Sequence, residues 1–174
     1  MVAKSACRLI GEYAVWFGSG GPAANQLLGG ALRILLSSLN LTQGVHGGAK
    51  HAANAFRVLC IRCANNLAGD PGSLVALMDA AAALYAPPPL ASSLAESVPL
   101  DGEERTAVVE GLARVVAHLP PAHMGEAGIK LVQPLITRAA SLAQSGEDVT
   151  LAIIHHVGIN LALHISFPGL RIIY

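Results

Sequence analysis

Two cysteines three positions apart form the most suggestive chemical pattern in this sequence. The run Cys60-Ile-Arg-Cys63 has the CxxC spacing that can chelate zinc or perform thiol–disulfide exchange. A structural zinc site needs four ligands, however, and the only other cysteine in the sequence is Cys7, so there is no second pair. On a helix, residues three apart share a face, and Phe56 and Leu67 fall on that face too. We therefore predict that both thiols are reduced and buried as small hydrophobic side chains.

The histidines do not form a persuasive ligand set. Adjacent residues such as His155 and His156 point about 100 degrees apart on a helix, and no carboxylate lies in the segment that also holds His164. The remaining candidates border predicted loops, where polar side chains are common: His46, His51, His118 and His123. We expect no metal site and no cofactor.

A glycine-rich run over residues 18–21 could suggest a phosphate-binding loop. It lacks the Lys-Ser/Thr pair that such a loop needs, and it follows a predicted helix where a nucleotide site requires a strand. We predict that it ends one helix and that Pro22 lies early in the next. No G-x-S-x-G elbow is present either. With no catalytic residue to assign, we expect that the chain is not an enzyme.

Composition and charge narrow the class of protein further. The chain has 174 residues, of which 53% are hydrophobic and 13% charged, enough for one domain with an apolar interior. Eleven basic and eleven acidic residues balance, so nucleic acid is not an expected partner. An odd number of cysteines without an apolar leader predicts a reducing compartment, the cytoplasm and nucleus.

Apolar residues recur every three or four positions in seven segments, which predicts helices and argues against strands. Gly- and Pro-rich breaks group the segments into pairs at about 2–41, 49–85 and 101–144, with continuous helices over 2–17 and 49–67. We expect Ser73 to cap the second helix of the middle pair and Pro134 to kink the last pair's second helix. The predicted core includes Leu9, Ile10, Tyr13, Phe17, Leu28, Leu32, Leu35, Leu39, Phe56, Leu59, Val108, Leu112, Val116, Met124 and Leu131.

The pair starts lie about 45 to 55 residues apart, close to the HEAT and armadillo period. Short turns make neighbouring helices antiparallel, and each pair can bury its apolar stripe only against the next. The predicted fold is all-α: a right-handed α-α superhelix (HEAT/armadillo-like solenoid) of about three helix pairs plus one extra helix. Residues 1–147 would form the repeats, and 148–174 an apolar terminal helix with a divergent tail. A plain helical bundle is the alternative.

Two segments keep alternative interpretations. Residues 149–170 carry no formal charge and are about long enough to span a bilayer, but their histidines, Asn160 and Pro168 are costly in hydrocarbon. If this segment does enter a bilayer, the alternative interpretation is a small membrane-associated helical protein anchored by 149–165. The triple proline at 87–89 is either a stiff loop between repeats or a polyproline II ligand for a recognition domain.

Three stretches resemble a known family. AANAFRVLCIRCANNL and DGEERTAVVEGLARVVAHLP look like central HEAT repeats of the transportin-SR branch of the importin-beta (karyopherin-beta) family, and RLIGEYAVWF resembles the preceding repeat. The similarity covers about residues 5–145, whereas 149–174 departs from the family pattern. Receptors of this family are several times longer, so the resemblance implies a fragment, an isoform or a truncated gene model of such a receptor.

The resemblance implies a nuclear transport receptor that imports protein cargo and releases it on binding the GTPase Ran. Ran and nucleoporins would be partners through the full-length parent, and Ser/Arg-rich splicing factors would be the cargo expected of this branch. Such cargo calls for clustered arginines in phosphate-matching geometry. The arginines here are instead dispersed: Arg57, Arg62, Arg105, Arg114 and Arg138.

Overall fold

The computed structural model describes residues 2–40, 48–85 and 102–145, and these ranges are helical without a strand. The helices are α1 (Val2–Glu12), α2 (Ala14–Ser19), α3 (Gly21–Asn40), α4 (Gly48–Arg62), α5 (Ala64–Gly69), α6 (Pro71–Tyr85), α7 (Gly102–Val116) and α8 (Pro121–Ser145). The prediction of an all-α fold built from packed helix pairs is confirmed for this part of the chain. The predicted loop at 87–89 and the extra helix at 148–165 lie outside the described residues.

Two helices that the periodicity predicts as continuous are each bent. The first is interrupted at Tyr13, between α1 and α2, and the third at Cys63, between α4 and α5. Helical hydrogen bonds still cross both bends, since the Tyr13 N–H donates to Leu9 at 3.0 Å and the Cys63 N–H donates to Leu59 at 2.8 Å. A bend that keeps its hydrogen bonds leaves the apolar spacing intact, so periodicity alone did not show it.

The second helix of each pair starts at an equivalent place in the sequence. Pro22, Pro71 and Pro121 all lie in the first turn of α3, α6 and α8, where a missing N–H costs nothing. Gly21 begins α3 with φ of 68°, a left-handed conformation that favours glycine. The predicted helix break at residues 18–21 is therefore confirmed, and the three prolines lie about fifty residues apart in the sequence.

The cap of α6 differs from the prediction. Asp70, and not Ser73, occupies the N-cap position: its backbone is extended, and its carboxylate accepts a 2.8 Å hydrogen bond from the Ser73 N–H. Pro71 explains this difference. Its fixed φ suits the first helical position, and the N-cap is the residue immediately before that position, which is Asp70. Hydrogen bonds from the side chain and backbone of Ser73 hold the pKa of Asp70 below its usual value.

We expect Asp70→Ala to lower the free energy of unfolding by about 1 kcal/mol, the usual cost of losing an N-cap. The matched control is Asp79→Ala, an exposed position within the same helix, which should change stability by less than about 0.5 kcal/mol. Urea unfolding measures both. Because the pKa of Asp70 is lowered, its contribution should be present at neutral pH and disappear as pH falls through that lowered pKa. Equal effects of the two substitutions would contradict the cap assignment.

The first helices of the three pairs form one row, with α4 between α1 and α7. On the α1–α2 side, a Cβ added to Gly11 would lie 3.3 Å from the Cβ of Ala55, and one added to Gly18 would lie 2.5 Å from the carbonyl oxygen of Arg62. Both contacts join residues the same distance apart in sequence. The bent helix α1–α2 and α4 therefore run parallel, with their backbones in close approach.

On its other side, α4 contacts α7 with the same orientation. Lys50 Nζ lies 3.3 Å from Glu103 Oε2, and Arg57 NH1 lies 3.2 Å from Glu110 Oε2. The two residues of each ion pair are equally far apart in the sequence, and the second pair lies two helical turns beyond the first along both helices. Gly111 allows this approach, because a Cβ there would lie 3.2 Å from the Arg57 Cα. Three first helices are thus stacked side by side and parallel.

The second helices complete a second row. α6 packs against α8 and, more lightly, against α3, while the short connections keep each second helix against its own first helix. The core lies between the rows, and its largest fully buried side chain is Phe56 of α4. Most of the predicted core is buried, including Leu32, Leu35, Leu112 and Leu131.

Two members of the predicted core are not in it. Leu9 and Tyr13 are each 55% exposed, because Cys7, Ile10 and Ala14 form the buried side of the bent helix α1–α2 instead. Pro134 lies inside α8, and the kink predicted there stays a prediction. Among the described helices, none combines the length and the apolar character that crossing a membrane requires.

Candidate protein-binding surfaces

The CxxC cysteines lie in the core, as the sequence predicts. Cys60 and Cys63 are completely buried, and the Cys63 thiol donates a 3.6 Å hydrogen bond to the carbonyl oxygen of Ala14 at the start of α2. Burial raises the pKa of the Cys63 thiol to about 11, and burial together with the neighbouring Cys63 raises the pKa of Cys60 well above its usual value. The thiolate is the reactive form of cysteine. Both residues are therefore packed, neutral thiols: Cys63 contacts α2, and Cys60 lies against α7, since a Cβ on Gly111 would be 3.2 Å from the Cys60 Cβ.

The raised thiol pKa values predict a loss of stability in alkali. An unfolded thiol ionises near pH 9, whereas folded Cys63 holds its proton until about pH 11. The stabilisation is fully present below pH 9 and is lost as pH rises through the folded pKa. We expect the urea midpoint to fall steeply over this range, and Cys60→Ala/Cys63→Ala to flatten the slope. An unchanged slope in the double variant would contradict the assignment.

The structure separates the histidines that it describes. His118 and His123 are exposed beside the α7–α8 turn, and His51 is half-buried in α4. The Nδ1 of His118 lies 2.8 Å from the Arg114 carbonyl oxygen. No cluster of metal-ligating side chains occurs within residues 2–40, 48–85 and 102–145. His46, His155, His156 and His164 fall outside the described residues.

A groove of about 460 Å³ runs between α6 and α8. Leu74 and Met78 of α6 line it beside Leu119 and Ala127, which are buried. The N-terminal turns of both helices belong to one small apolar cluster, so the helices run in the same direction along the groove. The polar residues of its lining are Asp79, His123, Glu126 and Lys130. This surface combines an apolar lining with a charged rim.

A second groove, of about 620 Å³, lies where α4 and α7 pack together. Its walls carry the two ion pairs that join these helices, and the Arg57 guanidinium also donates to the Asn54 side-chain oxygen at 3.3 Å. Lys50 and Glu103 are largely exposed, while Arg57 and Glu110 are about one-third exposed. Because Lys50 and Arg57 are already paired with Glu103 and Glu110, this groove is better suited to holding α4 against α7 than to recognising an anionic ligand.

The outer side of the bent helix α1–α2 is a third surface, which sequence reasoning misplaced. Leu9, Tyr13 and Trp16 are exposed here, Trp16 by 42%, and with Ile10 and Phe17 they line a shallow groove of about 200 Å³. The sequence does indicate such an exposed apolar surface, because α1 and α2 carry two apolar stripes and only one of them can face the core.

The corresponding helix of the next pair shows what kind of contact this outer side resembles. Fifty positions later, the bent helix α4–α5 touches the preceding pair through the equivalents of Tyr13 and Trp16. Cys63 bonds to Ala14, and the Asn66 side chain donates to Asn25 at 2.6 Å. The exposed residues of α1–α2 therefore occupy positions that, in the next pair, contact a neighbouring helix pair.

Comparison of the chain with protein-family models, with curated proteins and with solved structures gives no match.

Proposed function

We propose that this chain is a protein-binding segment of a HEAT-type solenoid, a right-handed α-α superhelix that binds other proteins and performs no bond chemistry. The observation that carries the proposal is the parallel row of first helices α1–α2, α4 and α7. In a closed bundle, short connections alternate the direction of adjacent helices. Parallel first helices with second helices in a separate row are instead the arrangement of stacked helical repeats.

The available surfaces favour binding over catalysis. The described residues present shallow grooves between α6 and α8 and on the outer side of α1–α2, and the only closely spaced cysteines are buried and neutral. Stacked helical pairs characteristically bind partners along such extended surfaces. The outer side of α1–α2, with Leu9, Tyr13 and Trp16 exposed, suits contact with a further helix pair of the same kind.

More specifically, we propose that the segment belongs to a nuclear transport receptor of the importin-beta family, transportin-SR branch, acting in the cytoplasm and nucleus. This rests on the resemblance of residues 5–145, together with the helix pairs found there. Protein cargo, Ser/Arg-rich splicing factors among them, would bind the receptor, and Ran would release it. Contacts with Ran and nucleoporins would be made by the full-length parent.

The test of the transport proposal is a binding assay on a receptor that contains this segment. Immobilised receptor should capture a Ser/Arg-rich protein, and GTP-loaded Ran should displace it, whereas GDP-loaded Ran should not. Absence of both interactions would remove the transport role. It would leave the helical-repeat proposal untouched, because that proposal rests on the packing of α1, α4 and α7.

We also predict that the isolated chain self-associates through the outer side of α1–α2. Exposed contiguous apolar surface favours association, because it removes that surface from water. Sedimentation velocity should show oligomers that Leu9→Gln/Trp16→Gln converts towards monomer. Val15→Gln is the control, since Val15 is 60% exposed on α2 but does not line the groove. A monodisperse wild-type monomer at all concentrations would contradict the prediction.

A further inference from the structure

The groove between α6 and α8, with a volume of about 460 Å³, is lined by apolar residues on both sides. Leu74 and Met78 lie along one wall, and Leu119 and Ala127 along the other. Methionine is flexible and polarizable, and it adapts readily to apolar partners. The lining is therefore suited to apolar side chains.

The charges on the rim are not balanced. Lys130 Nζ lies 2.8 Å from Glu126 Oε1 on the same helix, so each neutralises the other. Within the described part of the chain, the exposed Asp79 on the opposite wall forms no ion pair. In the formal count at pH 7, which takes His123 as neutral, the groove therefore carries one negative charge that no ion pair compensates, and the complementary ligand is apolar with one positive charge.

The length of the groove favours a helical ligand. Its α6 wall extends from Leu74 to Ala82, about 12 Å along a helix axis. Apolar side chains at positions i, i+4 and i+7 of another helix cover about the same length and share one face. Val75, 61% exposed at the rim, adds apolar surface for such a helix to cover.

We propose that the α6–α8 groove is a docking site for an amphipathic helical segment of a partner protein, with apolar side chains at i, i+4 and i+7 and a lysine or arginine facing Asp79. The site deepens the proposed protein-binding function and rests on it. Val75 and Met78 bind the apolar face of the segment, over a floor formed by the buried Leu119 and Ala127, and Asp79 selects its charge.

The test uses the full chain and synthetic peptides of about 16 residues, long enough to populate a helix. Fluorescence anisotropy should show saturable binding of a peptide with leucines at i, i+4 and i+7 and one flanking lysine. Replacing that lysine by glutamate should weaken binding about 2- to 5-fold, the range for an exposed ion pair. A central proline, which breaks the helix, should abolish binding.

Variants of the chain locate the site. Val75→Asn should weaken peptide binding up to about tenfold, because buried apolar area is lost. Val15→Asn is the matched control, since this valine is similarly exposed on α2, and binding should not change. Asp79→Asn should remove the preference for lysine over glutamate and leave the circular dichroism spectrum unchanged.

Three outcomes would overturn the proposal: no binding of the lysine peptide, equal binding of its proline version, or equal effects of Val75→Asn and Val15→Asn. These outcomes are distinguishable from failure of the transport role. A receptor that binds neither Ran nor Ser/Arg-rich protein loses its assignment to nuclear transport while the peptide result stands. Failure of the peptide assay removes the groove assignment without affecting the receptor assay.

Discussion

Replacing Phe56 by alanine should lower the free energy of unfolding by about 3–5 kcal/mol, the usual cost of deleting a buried phenylalanine ring. Phe56 is fully buried in α4, the helix between α1 and α7. Its ring also lies against α7, since a Cβ on Gly111 would be 3.3 Å from Phe56 Cδ1. Removing the ring leaves a cavity where α4 meets α7. Against a total stability of about 5–15 kcal/mol, the loss is a large fraction.

Urea unfolding followed by circular dichroism measures this effect. Tyr13→Ala is the control, because Tyr13 is an aromatic residue with more than half of its surface exposed. Its replacement should cost much less than that of Phe56. Similar losses for the two variants would show that Phe56 does not occupy the centre of the core.

The second large effect is expected at Gly18, where α2 approaches α4. Gly18→Ala would place a Cβ 2.5 Å from the carbonyl oxygen of Arg62, closer than such atoms approach, so the two helices must separate. Overpacking of this kind costs about 1–3 kcal/mol, and a backbone neighbour cannot relieve it by rotating a side chain.

Gly29→Ala is the matched control for Gly18→Ala. Gly29 lies within α3, and a Cβ there would meet nothing within 4 Å. Alanine should therefore raise stability by about 0.5–1 kcal/mol through its better helix propensity. The two glycine-to-alanine substitutions should therefore change the stability in opposite directions, as measured by thermal unfolding. Stabilisation by both would mean that α2 and α4 are not in close contact.

The helices could be predicted because apolar spacing and helix-breaking residues are local features. Their pairing, and most of the core from Leu28 to Leu131, followed from the same pattern. The bends at Tyr13 and Cys63 could not, since a bend that keeps its hydrogen bonds leaves the spacing of side chains almost unchanged. The cap at Asp70 was predicted three residues late, because Ser73 and Asp70 are both good capping residues and only Pro71 distinguishes them.

The candidate binding surfaces were harder to predict, because they depend on which helices are neighbours. The groove beside Met78 exists only because α6 and α8 lie side by side, and their residues are far apart in sequence. The exposed side of α1–α2 was mistaken for core, since Leu9 and Tyr13 have the spacing of a buried stripe. The glycine contacts at Gly11, Gly18 and Gly111 require knowledge of the opposing helix.

The parallel order of α4 and α7 is the central claim, and zero-length carbodiimide cross-linking with mass spectrometry tests it most directly. This reagent joins a lysine amine to a carboxylate already in contact with it. In the parallel arrangement Lys50 lies 3.3 Å from Glu103, whereas antiparallel helices would bring Lys50 towards Glu110. A Lys50–Glu103 amide, lost in Glu103→Gln, is the expected product. A Lys50–Glu110 amide in its place would contradict the stacked helical pairs and the protein-binding role inferred from them.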